Sequence, residues 1–155
     1  MKQSPELQKI QEAMRPGRLT KTGFLGSDSR PLADILAEDE ATVARLGLTH
    51  AAIATRMAYF REKGEAGLGL AVDVPPHFEV RVDGVRGRLP CPFAHPGLYP
   101  KIFCQVHNQK TGETVTYSDL QIHLIGDHGF YEGRGSPYRL EPETLVQVLE
   151  ITPEE

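Results

Sequence analysis

Cysteine is scarce in this chain: only Cys91 and Cys104 occur among 155 residues. Two thiols cannot build the disulfide framework of a small secreted domain, so a reduced, cytoplasmic chain is expected. Long hydrophobic runs are missing too. No window approaches the roughly twenty apolar residues that a membrane helix requires, so no membrane partner is expected. The stretch MKQSPELQKIQEAM is polar and lacks the apolar core of a secretory leader. Positive charge is not in excess either: 17 Lys and Arg face 21 Asp and Glu, a net charge of -4. That balance argues against a nucleic-acid binder that relies on overall charge, although a local basic face would survive the argument. Internal repeats and low-complexity segments are also lacking.

What is there reads as an ordinary globular chain, with 39% hydrophobic and 25% charged residues. Residues 1–155 are expected to form a single domain, with a helical part over about residues 1–64 and an α+β part over about residues 70–155. Ser4, Pro5 and Glu6 give the cap, first-position proline and acid that open a helix, which stops before Pro16 and Gly17. Ser29 is the expected cap of a second helix, with Pro31 just inside it and a stripe of Leu32, Ile35, Leu36, Val43 and Leu46. Thr49 caps a third, with Ile53, Met57 and Phe60 on one face and Gly64 at its end.

Beyond the joint GEAGLGLAVDVPP the hydrophobic period changes from helical to alternating. Asp83-Gly84 is a strong two-residue turn signal and predicts a hairpin over about residues 78–89. That register sets Arg81 opposite Arg86, a mildly destabilising like-charge pair that an acidic partner or Glu79 would offset. A second hairpin is expected over about residues 101–117, closed by Gln109–Gly112 and pairing Val106 with Val115 and Cys104 with Tyr117. Ser118 and Gln121 form a capping box for a fourth helix that ends at Gly129. Pro142 opens a final helix with Leu145, Val148 and Leu149 buried, a strand over residues 145–151 being the alternative. The fold class is therefore α+β: N-terminal helices packed on antiparallel hairpins, followed by two C-terminal helices.

Three constellations bear chemistry. The loop GFYEGRGSPYR concentrates glycines and arginines within residues 129–139. Gly133, Gly135 and Ser136 offer backbone amides for an anion nest, Arg134 and Arg139 a guanidinium clamp, and Tyr131 a flat surface. The alternative is a demanding turn whose arginines pair with the protein's own acids, Glu132 and Glu141. It is not a P-loop, because the lysine followed by serine or threonine is missing. On the fourth helix His123 and Asp127 stand four apart on one face, where a carboxylate orients an imidazole for general-base or metal-binding work. His128 projects about 100° away from Asp127, and proximity to the helix C-terminus explains it without chemistry. Finally Cys91, His95, Cys104 and His107 make a C-x3-H…C-x2-H set of the kind zinc accepts. On a regular strand, however, Cys104 and His107 point to opposite faces.

Residues 42–57, TVARLGLTHAAIATRM, have the outline of a helix-turn-helix that would bring His50, Thr55 and Arg56 to a DNA groove. Ala44 lies three rather than four residues before Gly47, so a structural helical hairpin is the simpler expectation.

The segments SDLQIHLIGDHGFYEGRGSPYRLEP, GRLPCPFAHPGLYPK and LGLTHAAIATRMAYF resemble a family of small bacterial cytosolic proteins described only as uncharacterised or hypothetical. The resemblance covers most of the chain from about Leu46 onward. It implies a bacterial, cytoplasmic origin and a compact unit, and carries no catalytic residue. The leading functional expectation is a binding protein for a small anion or an acidic partner segment through loop 129–139. The alternatives are a hydrolase-like or metal-dependent enzyme using His123 and Asp127, and a DNA-binding regulator built on residues 31–63. No cofactor is assigned, zinc being the one the Cys/His set would take.

Overall fold

The computed structural model describes residues 3–153. Three helices come first: α1 (Pro5–Ala13), α2 (Leu32–Arg45) and α3 (His50–Glu65). Four strands follow, β1 (Val72–Val74), β2 (Phe78–Pro90), β3 (Leu98–Asn108) and β4 (Thr114–Ser118), and then α4 (Asp119–His128) and α5 (Pro142–Leu149). The strands form one antiparallel sheet in the order β1-β2-β3-β4. The α+β class and the order of helices, sheet and helices are as the periodicity indicates. None of the helices among the described residues is long and apolar enough to cross a membrane.

Most local signals operate as read. Ser4 and Thr49 accept hydrogen bonds from Leu7 N and Ala52 N, and the Ser118–Gln121 capping box is fully formed. The second hairpin has the expected register, Val106 opposite Val115 and Cys104 opposite Tyr117. Residues 145–149 are helical rather than extended. Ser29 does not cap α2: Pro31 stands at that position, and the side chains of Gln11 and Gln3 accept from Leu32 N and Ala33 N at 2.9 and 2.7 Å instead. Gly64 does not end α3 either. It is buried in the last turn, and an added Cβ would lie 2.6 Å from Val80 and 2.7 Å from Val82, so glycine here lets the helix press onto the sheet.

The first predicted hairpin does not exist. Asp83-Gly84 lies within β2, which runs on to Pro90 and pairs along its length with β3. Asp83 bonds Gly84 N through its own side chain, and the register slips between Gly84 and Arg88. The long pairing relieves the like-charge clash. Arg81 faces Gln105 and Glu79 faces His107, so tertiary pairing overrides a local turn preference. The true connection is residues 91–97, far from the dipeptide that mimicked it.

Two apolar clusters result. One joins α3, α5 and the sheet through Ile53, Met57, Phe60, Phe78, Val80, Val106, Tyr117 and Val148. The other ties the N-terminal segment to α4 and the 91–99 region through Met14, Phe24, Leu32, Ile35, Cys91, Leu124 and Phe130. The N-terminal helices therefore reach past the sheet and pack on the segments that carry the cysteine and the histidines.

Candidate metal centre

Loop 129–139 is not open to a ligand through its arginines. Arg139 is held by Asp39 at 2.7 and 2.8 Å and by Glu141 at 3.0 Å, and it also donates to Glu132 O at 2.7 Å. Arg134 pairs with Glu38, and its backbone N–H donates to Asp28 at 3.0 Å. The amide that would cradle a foreign anion thus already holds the protein's own carboxylate. Gly133 N donates to Phe24 O at 2.9 Å, and a Cβ there would lie 2.2 Å from Leu25 O. Gly135 lies against Ser27 in the same way. These glycines let two backbones, 23–28 and 133–136, touch each other. Ser136 Oγ donates to Glu132, and the buried Tyr131 ring pairs with His50 at 2.8 Å. The turn reading of this loop is the one the geometry fits. Its acid partners include Asp28, Glu38 and Asp39 from the N-terminal part, besides the Glu141 that the sequence offered.

The expected four-ligand set also separates. Cys104 is buried in the sheet core beside Tyr117, and burial pushes its thiol up to about 11. His107 bonds Thr114 at 2.8 Å on the other face of β3. Strand alternation keeps these two apart, and the strand has no bulge there to defeat it. The helix-turn-helix reading loses two of its three readers, and only Thr55 stays exposed. His50 is committed to Tyr131, Arg56 donates to Leu149 O at 3.0 Å while covering the Phe60 ring, and α2 presents acids.

What the fold does assemble is a different cluster. The 91–97 connection lays Cys91 and His95 across the C-terminal half of α4. Cys91 Sγ lies 3.5 Å from His128 Nε2, and His95 Nδ1 lies 3.1 Å from His123 Nε2. His123 Nδ1 is 3.4 Å from Asp127 Oδ2, as their spacing on the helix predicts. Among the described residues, Cys91, His123 and His128 each offer a ligand atom within 4.8 Å of the others, and so do His95, His123 and Asp127. Aromatic packing fixes the rings. His123 is stacked between His95 and Tyr99, with centroids 4.8 and 4.6 Å away, and His128 is stacked on Phe93 at 4.2 Å.

Electrostatics favour neutral rings here. Burial, reinforced by the neighbouring imidazoles, lowers the pKa values of His123 and His128, while Asp127 opposes the effect. Burial likewise pushes the Cys91 thiol up. Neutral imidazole is the form that coordinates metal, and a thiol that binds one must release its proton. With Zn–N near 2.0 Å and Zn–S near 2.3 Å, tetrahedral ligand atoms stand about 3.3–3.7 Å apart. The 3.5 Å between Cys91 and His128 falls within that range, with His123 within 4.8 Å of both, and the 3.1 Å between His95 and His123 Nε2 lies just below it. The 3.4 Å contact of Asp127 is to the other nitrogen of His123, which it orients.

His128 and the joining of Cys91 to α4 were not legible in the sequence. A helical wheel separates His128 from Asp127, and only the long-range path of residues 91–97 brings Cys91 over it. Beside the cluster, a shallow hollow of about 450 Å³ is lined by His123, Tyr99, Ile122, Arg61 and Asp119, so His123 borders concave surface. No protein family, curated protein or solved structure matches the chain.

Proposed function

We propose that the protein binds a divalent transition metal of the zinc class through Cys91, His123 and His128, with His95 and Asp127 completing or orienting the set. The observation that carries this is the convergence of Lewis bases. One thiol, three imidazoles and a carboxylate from two chain segments form two triads that share His123, the ligand atoms of each within 4.8 Å of one another, without a lysine or arginine ion-paired to any of them among the described residues. Such groups can share a few protons, but a softer cation engages the thiolate and one nitrogen of each ring together, leaving Asp127 to hold the other nitrogen of His123. A bacterial, cytoplasmic setting rests on the sequence resemblance and accords with free thiols.

Cobalt substitution tests the reading. Titrating the purified protein with Co²⁺ is expected to give one tight equivalent, with thiolate charge-transfer absorption and intense visible bands of a tetrahedral centre. Cys91→Ser should lose the charge-transfer band and His107→Gln should keep it. Absence of both absorptions, or their persistence in Cys91→Ser, sinks the proposal.

The hollow next to His123 favours a second reading built on the same centre, a metal-dependent hydrolase in which Asp127 orients His123 and a coordinated water faces the hollow. Azide added to the cobalt protein separates the two. A changed visible spectrum marks an exchangeable position, and an unchanged one marks a closed structural site.

A further inference from the structure

Gln121 lies two residues before His123, about 200° around α4, and so serves a different region of the molecule. There β2, β3, the segment 19–24 and the 129–139 loop enclose a cleft of about 580 Å³, within the roughly 300–1,000 Å³ typical of small-molecule sites. Phe24, Leu89, Phe103 and Leu120 give it apolar walls, and Tyr138 adds a half-exposed ring. Two polar side chains that line it are buried, Gln121 at 5% and Glu132 at 4% exposure.

Glu132 is the unusual member. Its carboxylate accepts from Gln121 Nε2 and Ser136 Oγ, both at 3.0 Å, and forms no ion pair among the described residues. Its neighbours Asp28, Asp39 and Glu141 each hold an arginine. Its backbone stands at φ 71°, in the left-handed region that side-chain-bearing residues rarely adopt. Burial, only partly opposed by the Ser136 and Gln121 hydrogen bonds and by the charge of Arg139, which is ion-paired elsewhere, pushes its carboxyl up to about 7. The fold thus holds an acid, at a cost in backbone strain and desolvation, on the wall of an apolar cleft.

We propose that this cleft binds a small molecule with a flat apolar body and one protonated amine, its ammonium seated on Glu132. An ammonium supplies the cation that the surrounding protein gives to the other acids and withholds from this one. Lys21 and Lys101 also line the cleft. Lys21 is exposed, so solvent screens it, and the Lys101 chain lies along Gly87. The buried charge of Glu132 is far less screened and sets the sign of the ligand.

The chain has no tryptophan, so an indole probe excited at the red edge of its band, beyond tyrosine absorption, is read without protein background. Tryptamine fluorescence anisotropy should report saturable binding. Indole-3-propionate, with the same body and the opposite charge, should bind at least about tenfold more weakly, as should tryptamine to Glu132→Gln. Cys91→Ser should bind tryptamine as the wild type does, which separates this site from the metal centre. The proposal is overturned if tryptamine does not bind at millimolar concentration, if both probes bind wild type equally, or if folded Glu132→Gln binds tryptamine unchanged. Should that variant not fold, the two-probe comparison on wild type decides alone.

Discussion

Loop 129–139 and the Cys91–His123–His128 cluster are both dense in polar side chains, yet they are built on opposite principles. In the loop, donors meet acceptors: the guanidiniums of Arg134 and Arg139 face Glu38, Asp39 and Glu141, and the Arg134 amide faces Asp28. Both guanidiniums are matched from within, and neither is left to recruit an anion. In the cluster, acceptors meet acceptors. Neutral imidazoles and a thiol have few protons to share, and the nearest charged group is another base, Asp127. A high density of charged residues therefore says little about binding. Whether their electron demand is met inside the fold says more.

The strongest way to break this contrast is to unmatch the loop. Arg139 and Asp39 are 10% and 6% exposed, so Asp39→Asn strands a buried guanidinium. The expected loss is about 3–5 kcal/mol in urea unfolding, less whatever Glu141 retains. A change within a few tenths of a kcal/mol would mean that the pair is solvated and that the loop is not self-satisfied.

Glu132 sharpens the contrast, as the one acid of the loop region with hydrogen bonds but no ion pair. Its folded carboxyl protonates near 7 and its unfolded one near 4.5. A raised acid holds its proton more tightly when folded. Its stabilising contribution is therefore full below about pH 4.5 and fades as pH rises through about 7, by about 3 kcal/mol at about 1.4 kcal/mol per unit. Glutamine does not titrate, so Glu132→Gln should gain on the wild type between about pH 5 and about pH 8. His50, His123 and His128 titrate in both proteins and cancel in the difference. A difference independent of pH would show that Glu132 ionises as it does in water.

How much of this contrast the sequence discloses depends on the range of the interactions. Ser4, Thr49 and the Ser118–Gln121 box report their helix ends because a cap is settled within four residues. The His123–Asp127 pair is visible for the same reason. The β2–β3 pairing is not, since Asp83-Gly84 signals a turn that only partners some twenty residues away can veto. Once that hairpin is misplaced, residues 91–97 have no reason to cross α4, and Cys91 is assigned to Cys104 instead of to His128. The arginine loop misleads in a complementary way. Its own composition shows the donors, whereas three of the carboxylates that satisfy them lie about a hundred residues earlier.

On the cluster side, zinc should stabilise the folded chain. At a free concentration one hundred times Kd the gain is about 2.7 kcal/mol, seen as a rise in melting temperature. Cys91→Ser and His128→Gln should lose most of that increment, and His107→Gln should retain it. Loss of the increment in His107→Gln as well would restore the ligand set that strand alternation rules out.

The smallest effect belongs to the residue that looked most important in the sequence. Arg134 and Glu38 are 58% and 47% exposed, so water competes for both ends of their ion pair. Exposed pairs contribute about 0.2–1 kcal/mol, and Glu38 keeps Arg30 as a second partner. The backbone bond from residue 134 to Asp28 does not depend on the side chain. Arg134→Ala should therefore cost less than about 1 kcal/mol and respond to salt, whereas the Asp39→Asn loss should not. A penalty for Arg134→Ala as large as that for Asp39→Asn would mean that the loop is held together from its rim. Surface charge, not burial, would then distinguish the loop from the cluster.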